Sequence, residues 1–127
     1  MTTISTALTE LGITEWVLRG EPTSKSEFKS MFAKVIGADA NGSAIERTDE
    51  GHWGTTWEAI VAKRDELIAA EPMKLLRAER DRRIGVTDWW ASSDRTMTAD
   101  QTAYRQALRN ITATATSLDD VTWPTAP

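Results

Sequence analysis

Cysteine is absent from this chain. That excludes disulfides, thiolate nucleophiles and zinc sites built on sulfur. No apolar run approaches the ~18 residues that a membrane-spanning helix needs. The opening residues Met1-Thr2-Thr3-Ile4 lack the basic and apolar regions of a signal peptide. Histidine occurs once, at His52 beside Trp53. A lone histidine with no placed nucleophile or base is a weak catalytic candidate. No metal cluster or glycine-rich phosphate loop can be assembled. The nearest approach to a cation loop is Asp39-Ala40-Asn41-Gly42. Its glycine comes too early and no third ligand follows at the required spacing, which argues against calcium. The expectation is a protein with no catalytic residues, no metal and no cofactor, acting in the cytoplasm.

Tryptophan, by contrast, is plentiful: six, against one tyrosine and two phenylalanines. Tryptophan anchors many interfaces, and it also fills small cores. The 127 residues suit one domain, or one domain with an appendage, and the 40% apolar content allows a modest core. The net charge of −4 is unevenly spread. Residues 1–71 carry 7 basic and 12 acidic side chains, and residues 72–127 carry 8 and 7. An acidic total argues against nucleic-acid binding by phosphate neutralisation. The change near Glu71-Pro72 divides the chain into an N-terminal helical region, 1–71, and a C-terminal segment, 72–127.

The expected fold class is mainly α, with at most one or two short strands. Ile4, Ala7, Leu8 and Leu11 predict a helix over 2–12, ended by Gly12. Trp16-Val17-Leu18 reads as a short strand in need of a partner, or as irregular chain. Phe28, Met31, Phe32, Val35 and Ile36 recur at helical spacing and predict a helix over 24–36, capped by Ser24 and Glu27 and stopped by Gly37. Residues 37–54 read as a loop punctuated by glycine, asparagine and aspartate. Thr55 with Glu58 caps a helix over 55–70. Pro72 suits the first turn of a further helix, 72–86.

The C-terminal segment is organised around the turn Asp88-Trp89-Trp90. An arginine-rich helix precedes it. A second helix follows over 98–111, capped by Thr98 and Gln101, with Tyr104, Ala107, Leu108 and Ile111 as its apolar stripe. The result is a helical hairpin with an extended tail, because Trp123-Pro124 and Pro127 oppose helix. Two adjacent indoles at a corner can each bury roughly 150–250 Å². They either hold the hairpin closed, together with Asp88, Tyr104 and Trp123, or they meet a partner.

Leu76-Arg77-Ala78-Glu79-Arg80-Asp81-Arg82-Arg83, Thr87-Asp88-Trp89, Ser93-Asp94, Tyr104-Arg105-Gln106-Ala107-Leu108-Arg109 and Val121-Thr122-Trp123-Pro124 occur in that order. This ordered set resembles the phage tail assembly chaperone-like family, whose C-terminal segment also occurs in tail fibre assembly proteins. The resemblance covers about residues 72–127. Trp90 departs from the family's usual single tryptophan at the turn. The resemblance implies a non-enzymatic phage protein that binds a tail fibre or other tail protein and assists its folding, trimerisation or attachment. It would act in the host cytoplasm during assembly, with several copies around a trimeric fibre. The alternative is a permanent structural component of the virion tail. The family offers no catalytic residues to carry over. On physical grounds the expected partner contacts are Trp89, Trp90, Tyr104, Arg105, Arg109 and Trp123, with neither nucleic acid nor membrane as partner.

Overall fold

The computed structural model describes residues 2–127. The chain divides into two compact units, Met1–Ala69 and Ala70–Pro127. The first is a mixed α/β unit, which corrects the mainly α expectation. It contains helix α1 (Ile4–Glu10), strand β1 (Trp16–Leu18), helix α2 (Lys25–Met31) and strands β2 (Phe32–Ala38) and β3 (Ala44–Arg47). The strands form one antiparallel sheet in the order β1-β2-β3.

The helical stripe expected over 24–36 is real only to Met31. Ser24 caps α2 by accepting from the Glu27 N–H, and the Glu27 carboxylate turns back to the Thr23 hydroxyl. Phe28 and Phe32, four residues apart, share the core, which is why the pattern read as a longer helix. At Phe32 the backbone turns extended, with φ −101° and ψ 138°. The β-branched pair Val35-Ile36 suits the strand that follows. Pairing decides the matter: Leu18 lies opposite Phe32, Val17 opposite Ala33 and Trp16 opposite Lys34. The short β1 therefore finds its partner within its own chain.

The expected loop over 37–54 hides the second correction. Asp39 accepts from the N–H groups of Asn41 and Ser43, and Gly42 takes φ +81°. The residues that superficially suggested a cation loop are thus a hairpin turn, with the carboxylate occupied by backbone donors. Their turn delivers β3 against β2 through a bulge between Val35 and Gly37.

Aromatic rings fill the core of this unit. Phe28 stacks on Phe32 at 4.6 Å and meets Trp53 edge-on at 4.8 Å. Trp53 is completely buried, and its indole N–H donates to the Thr48 carbonyl. Ile4, Ala7 and Leu8 bring α1 onto the same cluster, and Ile60 joins it from the next helix. Thr3 and Thr6 cap α1 reciprocally.

Helix α3 runs without interruption over Trp57–Val86, where two helices were expected. Near its start the Ala59 N–H is capped by the Thr56 hydroxyl, where Thr55 was the expected cap. Pro72 lies inside this helix and cannot donate to the Ile68 carbonyl. Ile68, whose carbonyl loses that donor, is 49% exposed as a residue. The second unit adds helix α4 (Ala99–Arg109) and single 3₁₀ turns at Asp88–Ala91 and Ile111–Ala113.

Candidate partner-binding site

The second unit buries few apolar side chains fully; Leu76, Leu108, Ile111 and Ala115 are the main ones. Much of its definition therefore falls to the corner after α3. Thr87 ends the helix, its N–H and its hydroxyl both donating to the Ile84 carbonyl. The turn Asp88–Ala91 is then closed by the Trp90 N–H on the Thr87 carbonyl and by the Ser92 hydroxyl on the Trp89 carbonyl. Thr98 and Gln101 exchange side-chain and backbone bonds at the start of α4. This is the reciprocal cap expected from their spacing.

Arg105 reaches from α4 to the corner. Its Nη1 donates to the Thr87 hydroxyl at 2.7 Å, to the Asp88 carboxylate at 3.2 Å and to the Ile84 carbonyl at 3.3 Å. The residue is only 6% exposed, and its Nε has no hydrogen-bond partner. Its guanidinium thus holds the two helices of the hairpin at their junction and is not presented at the surface. The sequence placed Arg105 among the partner contacts; in the structure it is buried and bonded to Thr87, Asp88 and Ile84.

The rings occupy the outside of that junction. Trp89 and Trp90 meet edge-on at 6.2 Å, and Trp90 lies 6.0 Å from Tyr104. Trp90 and Tyr104 are half-buried, while Trp89 is 54% exposed and Val86 62%. Together with Arg82 and Arg83 they line a cleft of about 370 Å³. Trp123 joins through Arg83, whose guanidinium carbon stands 4.1 Å from the indole centroid. Arg95 makes the same kind of contact with Trp89 at 4.5 Å. Arg109 is exposed and lines neither this cleft nor its neighbour.

Arg82, Arg83, Arg95 and Val86 were not among the partner contacts expected from the sequence. An exposed branched residue in the last turn of a helix was a usable signal for Val86. The stacking of Arg83 on Trp123 spans forty positions and leaves no local trace.

Glu79 receives both Arg82, through Nε and Nη2, and Arg83. Two cations thus share one carboxylate. Hydrogen bonds from Arg82 and then Arg83 hold the Glu79 pKa down to about 2. A carboxylate depressed in the fold stabilises it fully above the unfolded value and loses that effect as pH falls. For Glu79 the window runs from the ordinary value of 4.5 down to about 2. Carboxyl-carbon NMR should accordingly find Glu79 still titrating near pH 2. A midpoint near 4.5 would mean that the clamp is not formed in solution.

Elsewhere, His52 Nδ1 sits 2.6 Å from Asp49 Oδ2 in an exposed pair, and His52 is the main cause of a lowered Asp49 pKa. Among the described residues no group of three or more metal-ligating side chains forms. No helix there is long and apolar enough to cross a membrane.

Residues 73–127 match the phage tail assembly chaperone protein family. The match takes in the arginine-rich half of α3, the tryptophan corner, α4 and the extended tail. Every residue of the cleft therefore lies inside the family segment. The preceding residues fall outside it. No curated protein and no solved structure matches the chain.

Proposed function

We propose that the family segment binds another phage tail polypeptide non-covalently, and that Trp89, Val86, Trp90 and Tyr104 form the contact, with Arg82 and Arg83 at its edge. The family match over residues 73–127 supports a role in phage tail assembly. The observation that carries the contact is the exposure of Trp89 and Val86 beside a cleft walled by two further rings. Large exposed apolar side chains next to arginines suit the anchors of a protein interface. The partner is a tail fibre or another tail protein, met in the host cell during assembly, and the role is non-catalytic.

Co-expression with the neighbouring tail and fibre genes tests this reading. The wild-type chain should co-purify with one product and improve its solubility or trimer yield. Trp89→Ala should reduce recovery of the complex by about tenfold or more, as expected for an anchor worth about 2 kcal/mol. Its circular dichroism should be unchanged, because the ring is largely outside the core. Equal recovery would remove the corner from the interface. Mass spectrometry of purified particles then separates a transient helper, absent from virions, from a permanent tail component.

A further inference from the structure

Glu79 lies on α3 about one turn before Arg82 and Arg83 and lines neither cleft of the C-terminal unit. Its Oε2 accepts from Arg82 Nε at 2.9 Å. Its Oε1 accepts from Arg82 Nη2 at 2.7 Å and from Arg83 Nε at 3.0 Å. Spacings of i+3 and i+4 bring both arginines over one carboxylate. A guanidinium bonded along its edge keeps its face free for stacking. Arg83 uses that face: its guanidinium carbon stands 4.1 Å from the Trp123 centroid.

Trp123 belongs to a stretch with little else to fix it. Residues 121–127 have no regular secondary structure, and among the described residues they make no backbone–backbone hydrogen bond. Val121, Trp123 and Pro124 are half-buried. Yet this stretch supplies walls. Ala126 lines the cleft at the tryptophan corner, and Pro124–Pro127 line a second cleft of about 460 Å³ that shares Tyr104 with the first. The shape of both clefts therefore depends on where residues 123–127 are held.

We propose that Glu79 is a positioning residue of the corner: it aligns Arg82 and Arg83 and, through Arg83, holds Trp123 and the wall that follows it. This deepens the partner-site reading and rests on it for the use of the cleft. Without Glu79, two adjacent cations lose their shared acceptor and turn toward water. Arg83 then presents no fixed face to the indole, and the wall comes away. A competing effect has the opposite sign, since an arginine freed from a carboxylate has more of its charge available to a ring. Orientation outweighs it here, because a released arginine regains rotamer freedom that stacking must again remove.

NMR on the full chain tests this. The wild type should show cross-relaxation between the Arg83 side chain and the Trp123 ring, with the Arg83 protons shifted upfield by the indole. Glu79→Gln keeps the side-chain length and removes the charge. It should lower the ratio of stacked to free tail by about fivefold. The Arg83 protons then move toward their unstructured shifts, and the ¹⁵N heteronuclear NOE at Trp123, Thr125 and Ala126 falls toward that of Trp123→Ala. Amide shifts of α4 should stay in place, and recovery of a tail partner should fall by about fivefold. In an Arg83→Ala background, Glu79→Gln should have no further effect on the tail. A general loosening of the helix would act in both backgrounds.

A tail unchanged or tightened by Glu79→Gln overturns the proposal, as does equal loosening with and without Arg83. So does full recovery of the partner by Glu79→Gln while Trp89→Ala loses it. If the tail responds as expected and Trp89→Ala recovers the partner fully, the positioning role stands and the partner-site reading fails.

Discussion

Trp53→Ala is expected to cost about 3–5 kcal/mol of stability, the range for deleting a large ring from a packed core. Trp53 is completely buried, edge-on to both Phe28 and Phe32, and its N–H is bonded to the Thr48 carbonyl. Alanine removes all three interactions and leaves a void bordered by α2, β2 and the start of α3. Domains of this size are stable by only about 5–15 kcal/mol. A loss of this size should shift the urea midpoint of the first unit strongly. Trp53→Phe should recover much of the volume while leaving the Thr48 carbonyl without its donor, and so fall between the two. A shift below about 1 kcal/mol for the alanine variant would contradict a core centred on this ring.

Arg105→Ala is the second large effect, at about 2–3 kcal/mol, from hydrogen bonds that involve a charged donor. The loss falls on Thr87, Ile84 and Asp88, which together define how α3 gives way to the corner. Asp88 is 66% exposed in its side chain and can be hydrated once Arg105 is gone. The unpartnered Nε suggests a sharper comparison. Arg105→Met keeps most of the stem and removes a buried donor that has no acceptor. It should cost less than the alanine change by about 1 kcal/mol or more. Denaturant melts of the two variants decide this. If they are equal, the stem does not contribute to packing. Because the corner carries Trp89 and Trp90, Arg105→Ala should also weaken recovery of a tail partner, although the side chain itself is buried.

What could be read from the residues alone divides along a physical line. Caps are local, and Ser24, Thr98 and Gln101 function as their spacing implies. The hairpin corner was also legible, because Asp88-Trp89-Trp90 and Tyr104 stand out by composition and lie close in the chain. The sheet was not. Phe28 and Phe32 satisfy a helical period, and only pairing with Trp16–Leu18 shows that the second of them belongs to a strand. Strand β3 is four residues long and follows a turn whose aspartate and asparagine read equally as loop. Pro72 misled for a related reason. Whether a proline can sit inside a helix depends on the surroundings of the carbonyl it orphans, and the exposure of Ile68 is a tertiary fact. In the site, the contacts of Arg83 with Trp123 and Arg105 with Thr87 are long-range and could not be read locally. The same distance explains why Arg105 looked available when it is enclosed.

The direct passage from α2 into β2 restricts where this chain can vary in length. No spacer separates Met31 from Phe32, so one added residue there would turn the strand over and exchange its inner and outer faces. The hairpin tip at Asp39–Ser43 is exposed, closed by its own side-chain bonds, and free of any such coupling. Insertions, tags or labels in the N-terminal unit belong at that tip, where a longer loop adds only a small closure entropy and leaves every ring of the core in place.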